Sequence, residues 1–235
     1  VHVQKNSAAL QNCSFLSTEG ISSRSVQDAV WPFVRLMEMS MLGVGVGFDT
    51  KGAGKLEIHK PLDEPRVYVI PDSREGWRDS VGALLESYFF ANRHRVVFDY
   101  DEIRPSGEPI KGFGGVAAGP GPLIDLHKSL SAQFDGREGE KITSTDIVDV
   151  QNKIGKCVVA GNVRRSAEIA LGDLNDEGSL GLDGTAEEAH GLLGVVDVVG
   201  TDGIFAVGVF EELSGGDDHG NKVDRRMQFP CAGMS

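Results

Sequence analysis

Apolar positions along this chain follow two different periods. A spacing of three to four residues, typical of an amphipathic helix, runs through four segments, and short apolar runs typical of strands lie between them. The helical segments are 25–41, 123–134, 144–154 with 159 as an alternative end, and one that follows a turn at 71–77 and has its last apolar position at Phe89. The strand segments are 12–18, 43–49, 67–70, 95–100 and 167–171, whereas 50–66 is polar and rich in turn residues. Alternating strands and helices predict an α/β architecture.

The pattern changes after Asp173. Glycine and acidic residues become more frequent, and two apolar runs, 195–199 and 204–210, are the candidate strands of this part. The segment 215–218 has the composition of a loop or linker. We therefore expect 174–235 to be a divergent, Gly/Asp-rich tail, either a natural segment or the product of a truncation or a shifted reading frame.

Composition narrows the classes of function. With 235 residues and 40% hydrophobic content, the chain can bury one sizeable core or two small ones. A formal net charge of -12 argues against binding to DNA or RNA, although a local cationic cluster could still bind a mononucleotide. No apolar run approaches the roughly 20 residues of a membrane span. The expected location is the cytoplasm, without a nucleic-acid or membrane partner.

Neither the cysteines nor the histidines have metal-site spacing. Cys13, Cys157 and Cys231 are odd in number and widely separated, which fits neither a disulfide framework nor a zinc site. Cys157 lies on the apolar face of a helical segment and is expected in the core. The histidines lack the spacing of metal ligands, so none is assigned a ligand role; they are His2, His59, His94, His127, His190 and His219.

Two stretches have the composition of nucleotide-binding loops. In the first, 109–123, glycines and alanines flank Lys111, so the backbone can approach a ligand while a cation meets its charge. In the second, 156–172, a Gly-Asn pair interrupts an apolar run and precedes Arg164 and Arg165, whose guanidinium groups suit phosphate. A solvated basic pair at a helix C-terminus is the alternative for these two arginines.

With Asn12-Cys13-Ser14-Phe15 and the run 43–49, these stretches resemble the large-chain barrel of ribonucleotide reductases. The nearest resemblance is to the monomeric, adenosylcobalamin-dependent (class II) ribonucleoside-triphosphate reductases. It covers about residues 1–173, and several long motifs in the family's order are far more specific than one glycine pattern. It implies part of a ten-stranded α/β barrel, in which 1–66 forms the first strands and helices, 67–95 is an inserted effector-binding subdomain and 96–173 continues the barrel with the specificity loops.

The same resemblance implies an activity. It is the reduction of ribonucleoside triphosphates to 2′-deoxyribonucleoside triphosphates by thiyl-radical chemistry, with adenosylcobalamin as cofactor and a thioredoxin-like thiol as reductant. Cys13 would be one of the two cysteines oxidised to a disulfide as the substrate's 2′-hydroxyl leaves, with Asn12 and Ser14 in the substrate site. A packed core cysteine is the alternative for Cys13.

The family's Asn-Pro-Cys-Gly-Glu radical loop has no good counterpart in this chain. The stretch at Cys231 resembles it superficially, but Phe229 replaces the asparagine, and Ala232 and Gly233 replace Gly-Glu, which removes the acid-base carboxylate. Cys231 is therefore not expected to carry the radical. We interpret the chain as an internal fragment that does not turn over alone.

The resemblance also implies allosteric control by a deoxynucleoside triphosphate effector. Segment 104–120 resembles the family's first specificity loop and 161–166 the second, and the insert implies a pocket completed within a monomer. The implied residues are Asp72, Ser73, Arg74, Trp77, Arg104, Lys111, Gly112, Gly114, Gly115, Gly161, Asn162, Val163, Arg164, Arg165 and Ser166. A capped helix start with a packed tryptophan is the alternative for 72–77. Two other hypotheses stay open: a non-catalytic nucleotide-binding remnant, and an unstable half-barrel without a function of its own.

Overall fold

The computed structural model describes residues 13–109, 116–161, 168–173, 199–201 and 204–209. Strands and helices alternate over most of these ranges, which confirms the predicted α/β architecture. In chain order the elements are β1 Cys13–Leu16, α1 Val26–Met41, β2 Gly45–Asp49, β3 Leu62–Val69, α2 Arg74–Phe89, β4 His94–Asp99, α3 Gly121–Phe134, α4 Ser144–Gly161, β5 Glu168–Asp173, β6 Val199–Thr201 and β7 Ile204–Val209.

The main sheet has the strand order β1-β2-β5-β7-β6. Its first three strands run parallel, whereas β7 is antiparallel to both β5 and β6. Parallel neighbours need a long crossover connection, and α1 supplies it between β1 and β2. The sheet therefore begins as a wound α/β unit and continues with an antiparallel pair.

Helices pack on one face of the parallel strands, and the β1 side chains on the other face are exposed. Val46, Phe48 and Ala170 point to the helix side and are buried in the core. Side chains alternate along a strand, so Cys13 and Phe15 point the other way, and both are exposed. Within the described ranges, this second face is open.

A second, two-stranded parallel sheet pairs β3 with β4. Tyr68 and Phe98 lie on its inner face and pack against the core, while the outer face exposes valines. The prediction that 50–66 is turn-rich was wrong for its last five residues, because β3 already begins at Leu62. Leu62 and Arg66 pair with β4, an irregularity in the pairing lies between them, and all five residues are exposed, so the strand tolerates Pro65 and polar side chains that do not alternate with apolar ones.

Aromatic side chains join three helices in one core. The rings of Phe33 in α1 and Phe89 in α2 have centroids 6.2 Å apart, and Phe134 in α3 meets Phe89 edge-on at 5.5 Å. All three side chains are almost fully buried. The small sheet and its helices therefore share a core with the helix that covers the main sheet, which fixes the two sheets relative to each other.

Hydrogen-bonding side chains cap α1, α2 and α4 at their N-termini, whereas α3 begins after Pro120 without a side-chain cap. Ser25 accepts a hydrogen bond from the amide of Asp28 before α1, and Thr143 accepts one from the amide of Asp146 before α4. The Asp146 carboxylate in turn accepts hydrogen bonds from the Thr143 amide and from both terminal nitrogens of Arg137, the latter two at 2.6 and 3.0 Å. Among the helices in the described part of the chain, none is long and apolar enough to cross a bilayer.

Candidate functional site

Cys13 opens β1 and presents a free, exposed thiol on the uncovered face of the main sheet. Its neighbour across the strand pair is Gly45, and two residues on, Phe15 pairs with Gly47. A Cβ atom at Gly47 would lie 3.0 Å from Cδ2 of Phe15 and 3.3 Å from Cγ2 of Ile169. The glycines of β2 thus let neighbouring side chains lie close over its backbone beside Cys13.

The other cysteine in the described ranges has the opposite environment. Cys157 lies inside α4 and is buried, as the sequence predicted. Burial raises the pKa of its thiol to about 12, which keeps it protonated and unreactive. An exposed thiol is required for exchange with a disulfide or a reductant. On accessibility, Cys13 can do this chemistry and Cys157 cannot.

The residues predicted to flank Cys13 in the substrate site are only partly described. Ser14 pairs with Val46 and, by strand alternation, points to the helix side rather than the open face. Asn12 lies outside the described residues. The substrate role of both residues stays a prediction.

A buried carboxylate ties the ends of β1 and β2 together, a feature that the sequence analysis missed. Asp49 accepts hydrogen bonds from the Ser17 hydroxyl at 2.6 Å, the Thr18 amide at 2.7 Å and the Thr18 hydroxyl at 2.8 Å. The Thr18 hydroxyl oxygen also accepts a bond from the Gly52 amide at 2.8 Å. This network fixes the register of the strand that carries Cys13.

A second group of predicted residues meets at the start of α2. Ser73 caps this helix by accepting a hydrogen bond from the Gly76 amide at 3.0 Å. The Arg104 Nε donates to Asp72 Oδ2 at 2.7 Å, across 32 residues of chain, and each side chain is 31% exposed. A Cβ at Gly76 would lie 2.3 Å from the Pro71 carbonyl oxygen, so this tight turn requires glycine.

Arg74 and Trp77 belong to the same helix turn. Arg74 contacts the Glu75 carboxylate at 3.2 Å. Trp77 is partly buried and packs against the core. The structure therefore brings together all of the predicted effector-site residues between 72 and 104, in a partly exposed cluster that contains cations and a carboxylate.

The segment after Arg104 forms a paired stem. The Gly107 amide donates to the Ala117 carbonyl at 2.8 Å, and the Ala117 amide donates to the Glu108 carbonyl at 2.7 Å. Gly119 has φ +75°, and a Cβ there would lie 2.9 Å from the Ser106 amide nitrogen, so the end of the stem needs glycine. The candidates Lys111, Gly112, Gly114 and Gly115 lie outside the described residues.

The second predicted loop is described only at its edges. Gly161 is the last residue of α4, which extends beyond both predicted ends, at 154 and at 159. Asn162, Val163, Arg164, Arg165 and Ser166 lie outside the described residues. At the other edge, Glu168 opens β5 and is buried against α4.

Glu168 is a buried carboxyl group without a hydrogen-bond partner among the described residues. A Cβ at Gly155 would lie 2.3 Å from its Oε1, so the carboxyl rests on the bare backbone of α4. Burial raises the pKa of Glu168 to about 8. This carboxyl is therefore mostly uncharged at neutral pH.

His127 is a further buried group that the sequence analysis set aside. It lies between Ser80 of α2 and Tyr100 after β4, within hydrogen-bonding distance of both hydroxyls. Its position falls in the apolar stripe formed by Leu123, Leu126 and Leu130, and that signal could have identified it as buried. In the described part of the chain, no group of three or more histidine, cysteine or carboxylate side chains is placed to hold a metal ion.

Sequence and structure comparisons place these features in a family context. Residues 49–134 match the family model described as "B12-dependent ribonucleotide reductase, insertion domain". The chain is 48% identical over 187 residues to a probable adenosylcobalamin-dependent ribonucleoside-triphosphate reductase of Dictyostelium discoideum, covering 72% of this chain and 24% of the relative. It is 47% identical over 185 residues to the adenosylcobalamin-dependent ribonucleoside-triphosphate reductase of Euglena gracilis, covering 78% and 25%.

A solved structure extends the likeness to the fold. The crystal structure of a B12-dependent (class II) ribonucleotide reductase matches with a TM-score of 0.64 and 27% identity, over 77% of this chain and 32% of that chain. The chain thus spans about a quarter of the length of the two relatives above.

Proposed function

Since the chain is a relative, in sequence and in fold, of the adenosylcobalamin-dependent ribonucleotide reductases, we propose that the protein containing it reduces ribonucleoside triphosphates to 2′-deoxyribonucleoside triphosphates. The family resemblance inferred from the sequence motifs is confirmed by these comparisons. The activity is proposed for the whole protein, because the chain spans about a quarter of relatives that carry this name. In this proposal, the main sheet is part of the family's ten-stranded barrel.

The observation that carries the proposal for this chain is the exposed thiol of Cys13 on the open face of the sheet. In the proposed reaction, Cys13 and a second cysteine outside the described residues give up two protons and two electrons and form a disulfide. The ribonucleotide takes them up and loses its 2′-hydroxyl as water. A thioredoxin-like dithiol then reduces the disulfide by thiol exchange, which requires the accessibility that Cys13 has.

Adenosylcobalamin is the proposed cofactor and would supply the radical initiation. Both relatives carry this dependence in their names. Among the described residues, no group of three or more histidine, cysteine or carboxylate side chains is placed to hold a metal ion. A monomeric state and a cytoplasmic location stay predictions.

The reductase proposal is tested in the full-length protein, supplied with adenosylcobalamin, a ribonucleoside triphosphate and a dithiol reductant. Cys13→Ser is expected to abolish repeated turnover, because the disulfide can no longer form, while Cys157→Ala serves as the matched control with a buried cysteine. Deoxynucleotide formation is measured by chromatography. Wild-type turnover in Cys13→Ser would contradict the assigned role.

We also propose that the cluster at Asp72, Ser73, Arg74, Trp77 and Arg104 belongs to a site for a deoxynucleoside triphosphate effector. Support comes from the partly exposed Arg104 guanidinium, which the Asp72 carboxylate holds beside the start of α2. A guanidinium group is a strong donor to phosphate, and helix N-termini favour anions. Lys111 with Gly112, Gly114 and Gly115, and the second loop from Gly161 to Ser166, would complete the site.

Equilibrium dialysis of this chain with each common deoxynucleoside triphosphate tests the effector proposal. Arg104→Gln is expected to weaken binding about tenfold or more, since it removes a charged hydrogen-bond donor. The matched control is Arg93→Gln, because Arg93 also pairs through its Nε with a carboxylate, that of Glu86 at 3.2 Å, outside the cluster. Equal binding by both variants would exclude Arg104 from the site.

A non-catalytic nucleotide-binding remnant is the second candidate function. It is favoured by the effector cluster, whose contacts at residues 72–104 are all made within this chain. Saturable deoxynucleotide binding by a full-length protein that shows no reductase activity would support it over the first candidate.

A further inference from the structure

His127 is the meeting point of three elements of the structure. It lies in α3 and is 3% exposed. The ring of Phe98 in β4 stacks on the imidazole, with centroids 3.9 Å apart and planes 19° from parallel. The Tyr100 hydroxyl lies 2.8 Å from Nδ1, and the Ser80 hydroxyl in α2 lies 3.1 Å from Nε2.

The hydrogen bonds around this ring have one consistent direction. Burial lowers the pKa of His127 to about 3, so the imidazole is neutral and has one N–H donor and one bare acceptor nitrogen. Ser80 donates its own proton to the Trp77 carbonyl at 2.7 Å and can therefore only accept from the ring. Nε2 thus carries the proton, and Nδ1 accepts from Tyr100.

The result is a relay of donors that runs from Tyr100 to His127, to Ser80 and to the carbonyl of Trp77. Burial raises the pKa of Tyr100 to about 12, so its phenol keeps the proton that it donates. Burying a polar side chain is costly, and an apolar aromatic residue would stack on Phe98 equally well if stacking were the role of His127. A fully satisfied polar network instead specifies one arrangement of the elements that it joins.

The relay connects the segments that carry the proposed effector cluster. Tyr100 lies four residues before Arg104, at the entrance to the first loop. α3 begins at Gly121, directly after that loop. Trp77 lies in the first turn of α2, next to the Ser73 cap and Asp72. Both ends of the loop are thereby tied to the helix start that Arg104 contacts.

We propose that His127 is a positioning residue for the effector site, which it serves by holding Arg104 and the first turn of α2 in their mutual arrangement before any nucleotide binds. The inference rests on the proposed effector function. It assigns His127 no contact with the nucleotide, because the ring is enclosed by Phe98, Tyr100 and Ser80.

The test compares three variants of the chain by equilibrium dialysis with the same deoxynucleoside triphosphates. His127→Phe keeps the stacked ring and removes both hydrogen bonds, and Tyr100→Phe removes the donor at one end. Tyr68→Phe is the matched control, since its ring also meets Phe98, at 5.9 Å, while its hydroxyl takes no part in the relay. We expect about tenfold weaker binding for the first two variants, the size of one or two lost hydrogen bonds, and unchanged binding for the control.

A double-mutant cycle separates positioning from a general loss of structure. If His127 acts through Arg104, adding His127→Phe to Arg104→Gln weakens binding little further, whereas independent effects would multiply. Multiplied effects, or wild-type affinity in both relay variants, would overturn the proposal. Tyr100→Phe repeats the cycle if the His127 variant does not fold.

Amide hydrogen exchange keeps this inference distinct from the effector proposal. If the wild-type chain binds no deoxynucleotide, the effector function fails on its own terms. The positioning effect is then measured at the amides of Gly107 and Ala117, which form the loop stem. They should exchange faster in His127→Phe and Tyr100→Phe than in Tyr68→Phe, and equal rates would refute the positioning role.

Discussion

Two ionisable side chains are buried beside the two predicted specificity loops, and their surroundings differ. His127 lies in α3, which follows the first loop, and both of its ring nitrogens have hydroxyl partners. Glu168 opens β5, two residues after the second loop, and neither of its carboxyl oxygens has a partner among the described residues. Burial favours the neutral form of both, with a pKa of about 3 for His127 and about 8 for Glu168.

This difference shows which of the two buried side chains responds to pH. A neutral histidine with both nitrogens satisfied keeps its hydrogen bonds throughout the neutral range. Glu168 lies in an environment that disfavours its charge, and it ionises at mildly alkaline pH. Beside the first loop, hydrogen bonds hold His127 in place. Beside the second loop, the packing of Glu168 depends on the proton of its carboxyl group and on its close contact with Gly155.

The largest expected effect comes from adding a methyl group at Gly155. Gly155→Ala places a Cβ within 2.3 to 2.8 Å of the Glu168 carboxyl atoms, so the buried carboxyl must move, alone or together with β5 or α4. We expect a loss of about 3 kcal/mol in the free energy of unfolding, at the upper end for overpacking. Urea unfolding followed by circular dichroism measures it.

Gly82→Ala in α2 is the control for Gly155→Ala, because its Cβ would meet only the end of the Val34 side chain, at 3.2 Å. Ala is also the better helix former at both positions. The double variant Gly155→Ala/Glu168→Ala should recover part of the loss. If Gly155→Ala and Gly82→Ala have equal stability, the close contact with Glu168 is not rigid.

The second effect depends on pH. The pKa of Glu168 rises from 4.5 to about 8 on folding, so its contribution to stability is fully present below pH 4.5 and is lost as the pH rises through 8. Glu168→Gln cannot ionise, and at pH 8.5 it should be about 2 kcal/mol more stable than wild type. This lies below the upper bound set by the whole pKa shift, since each pKa unit corresponds to about 1.4 kcal/mol. The advantage should vanish at pH 4. Urea unfolding at both pH values measures it, and parallel pH curves for the two proteins would refute the buried, unpaired carboxyl.

The sequence predicted the regular elements well and the edge strand poorly. The apolar stripes of α1 and α3 face the core, as their spacing indicated. Leu62 to Arg66 gave no strand signal, because an exposed strand paired along one edge needs no apolar alternation. The α/β class followed from periodicity, whereas this part of the small sheet could be identified only from its pairing with β4.

The candidate sites divide in the same way. Cys13 and the cluster from Asp72 to Trp77 were identified from contiguous motifs that resemble a known family. The Asp72–Arg104 contact joins residues 32 positions apart, and the pairing of Ser80 and Tyr100 with His127 spans 47 and 27 positions. No local pattern encodes such pairings, because the tertiary packing of α2, β4 and α3 creates them.

The smallest expected effect isolates one hydrogen bond of the relay. Ser80 and Ser87 are both buried in α2, and each donates to the carbonyl three residues before it, at 2.7 Å. Ser80 alone also accepts from His127, so Ser80→Ala leaves the Nε2 proton buried without a partner. This should cost about 1 kcal/mol more than Ser87→Ala, because an unsatisfied buried donor is more costly than the loss of a bond within a helix. Urea unfolding compares the two variants. Equal stabilities would mean that the Nε2 proton finds another acceptor or that the ring has the opposite tautomer, and the direction assigned to the relay would then be wrong.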